Sequence, residues 1–115
     1  MRPELLYLAD IIEAADAIER YRAALTAETE FYEDDLRQSA ILQKLIVIGE
    51  AASHLSAAFR EQFADVEWAD IVAFCNIAVH AYFSVKWEIV WVTATQDVPR
   101  LRRRVVEILA AIQDE

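Results

Sequence analysis

A length of 115 residues and a formal charge of −9, from 20 acidic and 11 basic side chains, set the first limits. A chain this long can bury one core but not two, so a single domain over residues 1–115 is expected. The charge excludes a protein that coats nucleic acid indiscriminately, because such proteins neutralise phosphates with Lys and Arg.

The imbalance is local: residues 1–67 hold 6 basic and 14 acidic side chains, whereas residues 68–115 hold 5 and 6. One Gly and two Pro in a chain that is 57% hydrophobic leave almost no turn chemistry for a β-rich fold. The expected class is therefore all-α. No apolar run approaches the roughly 18 residues that a membrane span needs. The start Met1-Arg2-Pro3-Glu4 does not read as a secretory signal, and the lone Cys75 fits a reducing cytoplasm.

The first helix is expected over Pro3 to Leu25, with Leu5, Leu8, Ile12, Ala15, Ile18 and Leu25 on one stripe. Thr26 to Asp35 is polar and acidic and reads as a connection. A second helix carries Ile41, Leu45, Ile48, Ala52, Leu55 and Phe59 at steps of four and three. Gly49 falls on its apolar side, where it costs ~1 kcal/mol relative to Ala, so it marks a close helix–helix approach. An extra short helix is allowed around Phe59 to Phe63. A third helix runs from about Trp68 to His80, and a fourth starts at Val85 with Ser84 as its N-cap. Pro99 should kink or split that last helix. The expected architecture is a four- to five-helix up-and-down bundle.

His54 and His80 are the only histidines, and neither has metal-ligand spacing; no Gly-rich phosphate loop exists. No cofactor or metal is expected. The third helix is different. Asn76 and His80 are four residues apart and share a helical face, while Cys75 and Tyr82 lie along another edge. Polar groups in so apolar a segment form either a hydrogen-bonded buried network or a functional site.

The run Cys75-Asn76-Ile77-Ala78-Val79-His80-Ala81-Tyr82 resembles the signature of the HEPN superfamily, and closely that of its HepT branch. That branch carries Arg, any four residues, His, one residue and Tyr, usually with Asn directly after the Arg. Tyr7 to Ala14 is similar to the family's first helix and Leu45-Ile-Val-Ile-Gly49-Glu-Ala-Ala52 to its second.

The resemblance implies a homodimeric HEPN bundle and a metal-independent endoribonuclease. Such a protein acts as the toxin of a toxin–antitoxin pair and leaves a 2′,3′-cyclic phosphate on RNA. It implies His80 as the proton-transfer group, Asn76 as an orienting residue, and Tyr82 as the tyrosine to which an MntA-like nucleotidyltransferase antitoxin attaches AMP. Trp68, Phe83, Trp87 and Trp91 add apolar surface that a dimer would cover.

One position departs: Cys75 stands where the family carries its arginine. A missing transition-state donor costs ~2.7–4 kcal/mol, so the chain is either a weakened nuclease or a catalytically inactive HEPN partner of the antitoxin. A helical dimer unconnected with nucleotides is the third reading. Arg100, Arg102, Arg103 and Arg104 read as a solvated helix face.

Overall fold

The structure, a computed structural model, describes residues 3–80 and 85–113, with side chains described up to residue 76 and again from 85. Every element among the described residues is helical. Helix α1 spans Pro3–Ala23 and buries Leu8, Ile11, Ala14, Ala15, Ala17 and Ile18 on one face. Pro3 is accommodated because first-turn amides have no intrahelical acceptor.

The polar connection contains an element that periodicity does not reveal, the five-residue helix α2 at Glu28–Tyr32. Its anchor is Phe31, fully buried and 5.3 Å from the Trp91 ring and 6.0 Å from that of Trp87.

Helix α3, Asp35–Ser53, is the centre of the bundle and packs against both α1 and the helix that follows Trp68. Asp34 caps it by accepting the Arg37 amide at 3.0 Å, which holds the Asp34 carboxyl below the usual carboxylate range. Arg37 Nε donates to the Tyr21 carbonyl at 3.0 Å and so ties the end of α1 to the start of α3. At the other end, Arg60 Nη2 donates to the carbonyls of Ala52 and Ser53 at 3.0 and 2.9 Å. The apolar stripe extended to Phe59 in the sequence reading is broken there. Phe59 sits on the separate short helix α4, Ala57–Gln62, capped by Ser56.

Helix α5 is Trp68–His80, the span expected. Trp68 is buried, lies against Phe59, and donates its indole N–H to the Phe63 carbonyl at 3.1 Å. After residues 81–84, which include the expected cap Ser84, helix α6 runs over Trp87–Val92, two residues later than the sequence suggested.

A π-helical turn at Thr93–Asp97 joins α6 to helix α7, Val98–Gln113. Pro99 explains it. Proline lacks an N–H and its ring meets the carbonyl four residues back, so a widened turn carries the helix past the obstruction. Thr93 and Thr95 hydroxyls donate to the carbonyls of Ile89 and Trp91 at 2.8 Å each. The result, among the described residues, is an all-helical bundle with an interrupted last helix. No helix among the described residues is long and apolar enough to cross a membrane.

Candidate active site

Helix α5 presents two neighbouring motif residues in opposite senses. Asn76 is exposed, so the cost of burying its amide does not arise and a buried polar network is not its explanation. Position 80 lies one turn further along the same face of α5, at the last residue of the helix. The His80 side chain, and Tyr82 altogether, lie outside the described residues.

Cys75 turns inward. It is 5% exposed, and its thiol donates to the Leu45 carbonyl of α3 at 2.7 Å. Burial pushes the thiol up to about 11, against a smaller opposing contribution from the Gly49 backbone. Facing it is the chain's single glycine. A methyl group on Gly49 would collide with both Cβ and Sγ of Cys75 and lie 3.5 Å from the Ile71 carbonyl. Gly49 is thus a point of close α3–α5 approach, as its place on the apolar stripe suggested. At pH 7 Cys75 is a neutral, enclosed thiol, with neither the charge nor the exposure of an anion-binding group.

Because α5 packs on α3, a cavity of about 520 Å³ opens between α5 and the last helix. Cys75 lines it. Its floor includes Leu45, Ile48, Ile71 and Phe74, and its polar rim carries Asp65, Glu67, Asp70, Asp97, Arg100 and Arg104.

Arg104 is engaged on three sides. Its Nε and Nη2 reach Asp65 at 2.6 and 3.2 Å, Nη1 reaches Glu107 at 3.3 Å, and its guanidinium lies 5.9 Å from the Phe63 ring centre. The pairing holds the Asp65 carboxyl below its usual range and raises Arg104 above its own. Arg102 pairs with Asp16 of α1 at 2.6 Å, and Arg103 is exposed. The arginine run is therefore largely the solvated, ion-paired face that the sequence suggested. The addition is that two of its members border the same cavity as Cys75.

The other histidine lies elsewhere. His54 is exposed at the end of α3, with its ring 5.2 Å from that of Tyr7 and Nδ1 2.7 Å from the Glu50 carbonyl. Among the described residues, no cluster of His, Cys, Asp and Glu has a metal-binding arrangement.

Comparison with known proteins gives a consistent result. The family model described as ribonuclease HepT-like matches residues 11–108. A Methanocaldococcus jannaschii protein named "Putative RNase" is 30% identical over 86% of this chain and 90% of its own length. A Caldanaerobacter subterraneus protein of the same designation is 31% identical, covering 90% of this chain and 91% of itself. A Thermococcus cleftensis protein named "Probable ribonuclease HepT" is 31% identical over 84% of this chain and 86% of its own length. No solved structure gives a significant match.

Proposed function

The chain belongs to the HepT-like ribonuclease family, and we propose from that premise that it is the RNA-cleaving toxin of a two-gene pair. In this reading it works as a homodimer and is silenced when an MntA-like nucleotidyltransferase attaches AMP to Tyr82. The observation that supports it most directly is the face of α5 shared by positions 76 and 80, where Asn76 is open to solvent and so accessible to a large substrate.

The chemistry is transesterification. His80 takes the proton from a ribose 2′-hydroxyl, whose oxygen attacks the adjacent phosphorus. The bond from phosphorus to the 5′-oxygen breaks, and that oxygen takes a proton from the second His80 across the dimer. The products are a 2′,3′-cyclic phosphate and a free 5′-hydroxyl. Asn76 orients the phosphate with its amide. AMP on Tyr82 places bulk and an anionic phosphate in the path of the RNA strand.

Negative charge grows on the phosphoryl oxygens during attack, and Cys75, neutral at pH 7, cannot offset it. Restoring a guanidinium tests the reading. The Cys75 thiol is wedged toward Leu45, so a longer side chain must turn into the adjoining cavity, which Asp70 also borders. Cys75→Arg should raise cleavage of a single-stranded RNA by about 100- to 1,000-fold, the scale of one transition-state donor. His80→Ala in that background should remove the gain. If Cys75→Arg folds by circular dichroism, dimerises and cleaves nothing, the chain is instead an inactive binding partner of the antitoxin.

A further inference from the structure

A phosphodiester is an anion, and a site that holds one needs a cation within reach of it. Position 75 supplies none, and the cavity beside it is bordered by only two basic side chains among the described residues, Arg100 and Arg104. They are not equivalent. Arg104 is held by Asp65 in a two-point contact, by Glu107 and by the face of Phe63, so its charge is already committed.

Arg100 is held by little. Its Nη2 donates to Asp97 at 2.7 Å, its Nε reaches the Gln96 carbonyl at 3.3 Å, and its side chain is 65% exposed. An exposed pair of this kind is weak, so the guanidinium can leave Asp97 at little cost.

The order of residues along the cavity also separates them. Asp65, just before α5, sits at the level of Arg104, so lower-numbered residues of the last helix run alongside α5 toward Cys75. Arg100, one turn before Arg104, is displaced from it in that direction.

We infer that Arg100 is a phosphate-contacting residue for RNA, supplying from the last helix the cation that position 75 lacks. This rests on the ribonuclease reading above. The rim carries four carboxylates, Asp65, Glu67, Asp70 and Asp97, against two guanidiniums. The site is therefore held at low affinity, and Asp97 competes with RNA for Arg100. That competition gives the proposal a signature that a purely structural ion pair lacks. Removing either partner of a structural pair does harm, whereas here the two removals act in opposite directions.

The test is binding of a fluorescein-labelled single-stranded RNA oligonucleotide, followed by anisotropy across a salt series. Arg100→Gln should weaken binding about tenfold and lower the slope of log K against log salt by ~0.7, the value for one phosphate contact on a single strand. Arg100→Lys should keep most of that slope. Asp97→Asn should tighten binding severalfold, and the gain should vanish in the Asp97→Asn, Arg100→Gln double variant.

Unchanged affinity and slope in Arg100→Gln, with wild type binding normally, overturns the role of Arg100 and leaves the ribonuclease reading intact. An Asp97→Asn gain that persists without Arg100 overturns it likewise, since the carboxylate then acts on RNA directly. If Arg100→Gln fails to fold, Asp97→Asn still decides, because weakened or unchanged binding there overturns the proposal. Wild type that neither binds nor cleaves the oligonucleotide removes the ribonuclease reading and this inference together.

Discussion

At position 75 the side chain turns into the bundle, whereas that of Asn76 is exposed. The thiol fills the gap that Gly49 leaves and satisfies the Leu45 carbonyl, and burial holds its proton up to about pH 11. A thiol whose pKa rises on folding keeps its proton after the unfolded chain, titrating near 9.0, has begun to lose its own. The native state is therefore penalised only above that value. Its stability should decline as pH rises from about 9 toward about 11, and be untouched by this group below. Denaturant melts of wild type and Cys75→Ala across that interval should converge as pH rises. Parallel curves would show that the thiol ionises as easily in the native protein as in the unfolded one. The sequence marks position 75 as the place where an arginine is expected. It cannot show that the side chain there faces the α3 backbone, because that depends on which residue lies opposite. The one hint was Gly49 on the apolar stripe of α3. Arg100 gave no such hint, since its nearness to Cys75 arises only when the last helix folds back along α5.

Among the elements, the long helices were legible because their apolar residues repeat at helical spacing over several turns. Helix α5 was readable to both ends, and Pro99 marked the interruption that takes the form of a π-turn. Helix α2 was not legible. Its five residues include two glutamates, a threonine and one buried side chain, too few to set a period. Tertiary contacts make it. Beyond the Phe31 ring, Gln38 of α3 is buried and its Nε2 donates to the carbonyls of Phe31 and Tyr32 at 3.0 and 3.1 Å. These are carbonyls at the open end of α2; that of Phe31 also accepts the Asp34 amide at 3.2 Å, and the Gln38 side-chain amide holds both from α3. Gln38→Met keeps the volume and removes the donor. It should cost roughly 1–3 kcal/mol, the net value of the two side-chain hydrogen bonds it removes. Hydrogen exchange should show the loss concentrated in residues 28–33 and at the start of α3. A global, evenly spread loss would mean that Gln38 serves the core and not α2.

For the whole molecule, the question is which surface the bundle leaves uncovered. The aromatic residues that first suggested a dimer are largely consumed by the fold. Trp68 is buried, and Trp87 and Trp91 are half-buried against Phe31; Phe83 lies outside the described residues. Among the described residues, what remains exposed is Tyr32 and the aliphatic Leu6, Leu36, Ile89, Val92 and Val106. Single exposed apolar residues are ordinary on any protein and carry no weight. Ile89 and Val92 are different, because they stand one turn apart on α6 and are 50% and 42% exposed. They also follow closely on the segment that carries Tyr82. A composite cleft requires two copies of that segment to meet, and an uncovered aliphatic pair a few residues further along the chain offers adhesive surface for such a meeting. Sedimentation at micromolar concentration should therefore report about 26 kDa, twice the 13.2 kDa chain. Ile89→Asp should shift the protein toward 13.2 kDa without loss of helicity, since half of the residue's surface is open to solvent. Cleavage should fall with it, because each monomer retains only half of the proposed acid–base pair. A wild-type protein that sediments as a monomer removes the two-histidine mechanism. A dimer that survives Ile89→Asp shows that the copies meet through a face other than α6.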